Sequence, residues 1–491
     1  MNELLIIAVV LILYIRTMRM LIIVDDVRHY SGIINGLFDH PSRRWWQIGS
    51  WPLRFYGGGS FAQNVLCECK GNNKQCPQCK GKGRVVRIDC SLDHLFTTAL
   101  FAMTCVLIYE AFGRNTVSLC AALLYAANPA NNQTSIWLNG RRYSINIIIS
   151  LLIVISPWLL PLYFATLLFQ ANVLFAPIML GGWYLLAIPA VFVLGWPIMI
   201  RFYEERMATI ANSDIREYKP RRLVIVLKTI GFYVVRMLVP THTQMCYRFL
   251  SSWGMTEEGN KEAYRLDKFF WIGILSCLVI AAGLVLLPVR EKWILLYLLV
   301  ATMQFSNVVS PIQTAADRYI SAPNVAMMYL LSYVAFNTLG AYALPILAFI
   351  FGTYVQRLNI TMLMYQSIIK FHDYHNYFDE KQVALRKLRA NWMMKTGDPL
   401  GAWEILKVGL THNPTDFSML YLAGVCMSLI GDVNMSEYYL ALAEKNYPLK
   451  QEEQWSKHVQ ALRTKNQSML GKRDRVAIQP SDWKKKDKKT K

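Results

Sequence analysis

The sequence predicts an all-α protein: a polytopic membrane helical bundle of about ten or eleven spans, with a small zinc-knuckle-like loop near its start and a helical-repeat α-solenoid near its end. Three observations predict it. Of 491 residues, 54% are hydrophobic and only 17% charged, and the apolar residues come in long runs. Half of the ten cysteines fall between residues 67 and 90. A pattern of glycine, aspartate, small residue and proline recurs near the C-terminus after 34 residues.

The first span covers residues 1–24. A helix needs roughly 20 apolar residues to cross hydrocarbon, and the stretch from Leu4 to Val24 supplies them. It lacks a small-residue cleavage site and carries Arg16 and Arg19 in its second half, so it reads as a retained helix and not a removed signal peptide. Those arginines require an interior partner or a snorkelling route. Asp25 and Asp26 follow at its outer end. Two adjacent carboxylates at a membrane boundary repel each other and are costly to desolvate, which favours a functional role over a solvated helix end.

Residues 25–93 form a polar loop. Trp45-Trp46 and Tyr56-Gly57-Gly58-Gly59 precede Cys67-Glu68-Cys69, then Cys76-Pro77-Gln78-Cys79-Lys80-Gly81-Lys82-Gly83, then Cys90. Paired cysteines followed by glycines let the chain turn sharply enough for thiolates to converge on one tetrahedral ion. A structural zinc on Cys67, Cys69, Cys76 and Cys79 is expected, with disulfides as the alternative for a loop outside the cytoplasm. The second half resembles half of the zinc-binding region of DnaJ-type chaperones, whereas the first half is C-x-C. The remaining cysteines, Cys105, Cys120, Cys246, Cys277 and Cys426, read as small core residues.

Residues 94–358 read as the polytopic membrane domain, with further spans beginning at His94, Val117, Tyr143, Leu159, Gly182, Leu223, Phe269, Trp293, Asn324 and Tyr342. Three polar stretches interrupt them. One runs Asn128-Pro129-Ala130-Asn131-Asn132-Gln133-Thr134 and continues to Asn139-Gly140-Arg141-Arg142-Tyr143; one is the charged loop from Arg201 to Arg222; one runs Ser306-Asn307-Val308 to Asp317-Arg318-Tyr319 and Pro323. The second is placed in the cytoplasm by its positive charge.

Residues 359–464 read as tetratricopeptide-like repeats. Gly397-Asp398, Ala402 and Pro414 return as Gly431-Asp432, Ser436 and Pro448, at the tetratricopeptide period of 34. Small residues at Ala390, Ala402, Gly409, Gly424, Ser436 and Ala443 mark where paired helices approach closely. Such stacked helices suit a protein or peptide partner. Residues 465–491 form a basic tail, which carries part of the net charge of +20. It reads as disordered, able to meet anionic lipid, and no nucleic-acid-binding fold accompanies it.

A membrane enzyme that takes a group from a lipid phosphate needs a carboxylate to deprotonate the acceptor and cations to hold the departing phosphate. Asp25 or Asp26 suits the first role. Arg141, Arg142 and Arg318 suit the second, because a guanidinium fork matches phosphate oxygens and stays charged.

The order of motifs resembles the transmembrane and tetratricopeptide repeat O-mannosyltransferases, enzymes of the GT-C fold. The resemblance rests on the acidic pair after the first span, Asp93-His94-Leu95-Phe96, the Ala-Ala-Asn-Pro stretch with Gly140-Arg141, Asp317-Arg318-Tyr319 with its following proline, and the repeats. Where family members often carry Glu-Arg-Tyr and Tyr-x-Pro-Ser, this chain has Asp317 and Ser321-Ala322-Pro323-Asn324, and its cysteine-rich insertion is additional.

The resemblance implies inverting transfer of mannose or another hexose from a polyprenyl-phosphate donor to protein serine or threonine hydroxyls. Asp25 and Asp26 would lie in the acidic catalytic motif, and Arg141 and Arg318 toward the donor phosphate. His94 and Tyr319 are further site candidates, and a catalytic divalent metal is left open. The chain is expected in a bacterial plasma membrane in preference to the endoplasmic reticulum, with its acidic loop outside the cytoplasm. The alternative is a GT-C-like scaffold without catalysis, docking partners through the zinc loop and the repeats. A lipid-sugar flippase would want more charge inside its spans.

Overall fold

The computed structural model describes residues 1–19, 62–66, 84–88, 91–136, 140–169, 176–194, 222–241, 265–304, 317–364, 383–395, 397–412, 414–446 and 452–473. Asp25, Asp26 and the cysteines at 67, 69, 76 and 79 lie outside them, as do most of the Arg201–Arg222 loop and the tail from residue 474 on; residues 465–473, expected to be disordered, are helical instead, because the helix that begins at Glu452 runs on through them. The chain divides into two compact units, Met1–Ile210 with Ile215–Phe378, and Ala211–Asp214 with Asp379–Lys491.

The first unit is mostly helical. Its α-helices are α1 (Asn2–Tyr14), α2 (Ser91–Ala111), α3 (Thr116–Ala127), α4 (Asn132–Ser135), α5 (Arg141–Ile155), α6 (Ala176–Leu180), α7 (Ala187–Leu194), α8 (Arg222–Leu238), α9 (Lys268–Leu286), α10 (Val289–Gln304), α11 (Ser321–Leu339) and α12 (Ala343–Met364). The exception to the all-α expectation is an antiparallel ribbon of β1 (Ala62–Leu66) and β2 (Arg84–Ile88), in register from Ala62 opposite Ile88 to Leu66 opposite Arg84. The β-branched Val65, Val85, Val86 and Ile88 favour the pleated backbone, and the ribbon brackets the stretch that contains four of the cysteines.

Among the described residues, three helical runs are long and apolar enough to cross a membrane: His94–Ala111, Lys268–Leu286 and Ser321–Leu363. The last comprises α11 and α12, interrupted at Gly340, whose φ of +55° only glycine adopts easily. Helix α9 turns Trp271, Leu275, Leu278, Val279, Val285 and Leu286 outward, an apolar surface suited to hydrocarbon and not to water. The expectation of a span from Leu159 meets a 3₁₀ segment, Pro157–Phe169, with Pro161 inside it. Proline removes a backbone donor and clashes with the preceding turn, so an α-helix does not continue through it. From Gly182 the chain forms a short 3₁₀ turn and the eight-residue α7.

Side-chain contacts give the bundle a direction. Asn2 donates to the Tyr109 hydroxyl (2.9 Å), while Thr17 lies 3.4 Å from Thr98, so α1 and α2 run antiparallel. Helix α3 returns beside α2, and Tyr14 donates to the Ala126 carbonyl near its end (3.0 Å). The N-terminus of α2, the C-terminus of α3 and the chain leaving α1 toward residue 25 therefore share one end of the bundle. Arg16 at that end is exposed.

The second unit contains α13 (Val383–Lys395), α14 (Pro399–His412), α15 (Phe417–Ile430), α16 (Val433–Lys445) and α17 (Glu452–Arg473). Two helix pairs begin 34 residues apart, at Val383 and Phe417 and at Pro399 and Val433. The recurring Gly-Asp has a local cause. Gly397 and Gly431 adopt φ of +90° and +91° to end one helix, and the next residue caps the following one: Asp398 accepts from the Gly401 amide (2.9 Å) and Asp432 from the Met435 amide (3.1 Å). All six small residues singled out above are buried. A Cβ on Gly424 would stand 2.8 Å from Leu440, and the Ser436 hydroxyl donates to the Gly424 carbonyl (2.7 Å), so side-chain bulk is excluded where α15 and α16 touch.

Cys426 sits in this core and donates its thiol to the Pro399 carbonyl (2.8 Å). Burial, with Asp398 nearby, pushes its pKa up to about 11. At pH 8 the folded protein should alkylate at Cys426 roughly 100-fold more slowly than the denatured chain, read by iodoacetamide labelling and peptide mass spectrometry. Because the thiol ionises more easily unfolded, its contribution to stability is intact below the ordinary thiol pKa and lost as pH rises through about 11. Equal labelling rates in the two states would refute the buried placement.

Candidate functional site at one end of the bundle

The site is built from turns at the shared end of the bundle. After α3 the chain meets Asn128-Pro129. Proline disfavours helix for the residue before it, and Asn128 is extended, with φ −67° and ψ 116°. Its side chain then caps the 3₁₀ turn Pro129–Asn131, accepting from the Ala130 amide (2.9 Å) and donating to the Met237 carbonyl at the end of α8 (2.7 Å). Asn131 donates to the Tyr125 carbonyl (2.8 Å) and accepts from Asn324 of α11 (3.1 Å). The Thr134 hydroxyl donates to the Asn131 carbonyl (2.7 Å) and lies 3.1 Å from the Ser321 hydroxyl. These side chains are buried, and the bonds they make offset the cost of removing them from water.

Helix α5 starts against this turn. Gly140 has an ordinary helical backbone, φ −71° and ψ −18°, so glycine is not needed there for its conformation. It is needed for space: a Cβ at this position would stand 1.9 Å from the Gln133 carbonyl oxygen. Close approach puts Arg141 in the first turn of α5, fully buried, with its guanidinium carbon 5.5 Å from the centre of the Phe96 ring on α2. Tyr143 meets Tyr319 edge to face at 6.5 Å. His94, at the start of α2, is also buried at this end.

The third stretch arrives as the 3₁₀ turn Asp317–Tyr319, which leads into α11. Asp317 is fully buried and is gripped by Arg236 from α8. Nε and Nη2 lie 3.3 Å from one carboxylate oxygen, and Nη2 lies 3.2 Å from the other. The Arg236 side chain is itself 3% exposed.

The structure thus gathers His94, Arg141, Tyr319 and the backbones of Arg142 and Arg318 at one end of the bundle. The side chains of Arg142 and Arg318 lie outside the described part. Helices α5 and α11 both begin here, and helix N-termini carry positive potential from unpaired amides. Two arginines in the first turn of α5 add to that potential and do not relieve it. An anion is the chemical species such a place favours. Among the described residues no three histidine, cysteine or acidic side chains come together to hold a metal.

Sequence reading passed over Arg236, which with Lys228 interrupts the apolar run of α8; the available signal was that a charge within an apolar run demands a partner. It also passed over Asn146 and Ser150, one turn apart on α5, both 1% exposed and without a hydrogen-bond partner among the described residues. No protein-family model, curated protein or solved structure matches this chain.

Proposed function

We propose that the chain is a multi-pass GT-C-type glycosyltransferase that moves mannose or another hexose from polyprenyl phosphate to serine or threonine hydroxyls of a protein, outside the cytoplasm. The observation that carries the reading is the meeting of three distant stretches, around Asn131, Arg141 and Asp317, at the end from which the chain leaves α1 toward Asp25 and Asp26. The resemblance to the transmembrane and tetratricopeptide repeat O-mannosyltransferases rests on those same stretches.

In the proposed reaction the acceptor oxygen attacks the anomeric carbon as the bond from that carbon to the phosphate oxygen breaks, which inverts the configuration. Asp25 or Asp26 takes the hydroxyl proton. Arg141, Arg142 and Arg318, with the N-terminus of α5, hold the departing lipid phosphate and stabilise its charge. His94 and Tyr319 line the same end. The cysteines at 67, 69, 76 and 79, which fall in sequence between β1 and β2, would hold a structural zinc that shapes the loop, and the 34-residue helix pairs would form tetratricopeptide repeats that receive the acceptor protein. This reading places about ten or eleven spans in a bacterial plasma membrane.

The test is glycopeptide mass spectrometry of extracytoplasmic proteins from cells with the parent protein, without it, or with the Asp25→Asn, Asp26→Asn double variant at matched membrane levels. A hexose adduct that needs the parent and disappears in the variant is expected. Should the variant restore whatever the deletion loses, the aspartates are dispensable, and a membrane scaffold that docks partners through the cysteine loop and the helix pairs replaces the enzyme.

A further inference from the structure

We infer that Arg236 is a positioning residue of the donor-phosphate site: through Asp317 it locks the Asp317–Tyr319 turn, and with it Arg318, in register with the turn that leads to Arg141. The inference rests on the glycosyltransferase reading and adds to it a residue that no motif contains.

The geometry is that of a clamp. Arg236 reaches both oxygens of Asp317 with two of its nitrogens, at 3.2 and 3.3 Å, and a planar fork on a carboxylate fixes orientation as well as distance. The clamp is anchored at its base. Met237, the next residue, has its carbonyl bound by Asn128 (2.7 Å) and by the Tyr354 hydroxyl (3.2 Å), and the same hydroxyl reaches the Leu238 carbonyl (2.8 Å). Asn128 in turn caps the turn ahead of α4. The end of α8 therefore holds the Asn128 turn through its backbone and the Asp317 turn through Arg236. The edge of the site formed by the three-residue 3₁₀ turn is thus tied to the end of α8.

Stability alone does not account for this pair. Two opposite charges buried together gain little over well-packed apolar side chains of similar volume, because both must first be desolvated. What a fork and a carboxylate supply that methionine and leucine do not is direction. The pairing also decides the role of Asp317. Its carboxylate is committed to Arg236, so the proton acceptor must come from elsewhere, as Asp25 and Asp26 would provide.

The experiment uses the full chain in nanodiscs with a polyprenyl-phosphate hexose and an acceptor peptide, and reads two properties. The first is a disulfide between cysteines introduced by Thr134→Cys and Ser321→Cys, whose parent hydroxyls lie 3.1 Å apart across the two turns; peptide mass spectrometry measures its yield with Arg236 and with Arg236→Met. The yield should fall at least about threefold without the arginine. The second is turnover of the Arg236→Met, Asp317→Leu double variant, which should keep the parent melting temperature and lose roughly 100-fold in kcat, since a shift of about 1 Å in a reacting group costs that much. The reversed pair, Arg236→Asp with Asp317→Arg, should recover part of the loss.

A cross-link yield indifferent to Arg236, or a double variant that turns over within about threefold of the parent, overturns the inference. A parent that transfers no hexose while its cross-link still depends on Arg236 supports the clamp and sinks the transferase reading, so the two failures are distinct.

Discussion

Gly140→Ala is expected to disable the site while the rest of the bundle stays folded. The added carbon would sit 1.9 Å from the Gln133 carbonyl oxygen, 3.0 Å from its carbon and 3.2 Å from the Thr134 Cα. All three are backbone atoms, so no side chain can swing aside, and the segment 133–134 must separate from α5. Overpacking of this kind costs about 1–3 kcal/mol or somewhat more. The displacement falls where Ser144 meets the Thr134 carbonyl (3.4 Å) and Thr134 meets Ser321. Arg141 would lose its register with the Asp317 turn. A drop of about 100-fold is expected in the hexose transfer proposed above, with a lowered melting temperature in detergent. A variant that matches the parent in both would mean the contact is relieved at no cost and that this close approach does not build the site.

The residues of the site were legible in sequence for one reason and hidden for another. Asn128 to Thr134, Gly140-Arg141 and Asp317 to Tyr319 stand out because polar and charged residues are expensive beside apolar spans, so a cluster of them at a span end asks for an explanation. That they meet was not legible. Asn131 and Asn324 are 193 residues apart, and Arg236 lies 81 residues from Asp317; no local periodicity records such a pairing. Arg236 was overlooked because one arginine near the end of an apolar helix also reads as an interface anchor that snorkels outward. Its 3% exposure shows the opposite.

The same division runs through the fold. Starting points of helices follow local rules, as where Asp267 caps α9 by accepting from the Phe269 and Phe270 amides, or where Gly431 in the left-handed region closes α15. Those signals are contained within a few residues, and the Gly-Asp repeat is visible for that reason. Lengths are less legible. An apolar run around Leu159 reads as a span until the backbone is considered, because hydropathy does not register that Pro161 and the flanking Pro157 deny the chain its α-helical bonds. The ends of the last helices likewise outrun composition: α12 continues through residue 358 to Met364 and α17 to Arg473.

Helices α8 and α9 supply the second large effect. Gly231 and Gly273 face each other across their contact: a Cβ on Gly231 would lie 2.0 Å from the Phe269 carbonyl oxygen and 2.5 Å from the Gly273 nitrogen, and a Cβ on Gly273 would lie 1.9 Å from the Leu227 carbonyl oxygen. The two backbones touch, as small residues allow in membranes, where packing and not water-driven burial holds helices together. Beside the contact, Lys228 pairs with Asp267 at 2.6 Å, the lysine being 1% exposed. Gly231→Ala or Gly273→Ala must push the helices apart, loosening the packing and stretching this ion pair at once. Each single variant is expected to cost about 3 kcal/mol, seen as a lowered melting temperature in detergent. The double variant should cost clearly less than the sum, because once the first methyl has separated the helices the second enters space already opened. Strict additivity, or single variants within about 0.5 kcal/mol of the parent, would rule out the reciprocal contact. Because α8 carries Arg236 at its far end, the same variants should weaken the proposed hexose transfer less than Gly140→Ala does, since the end of α8 is independently held by Asn128 and Tyr354.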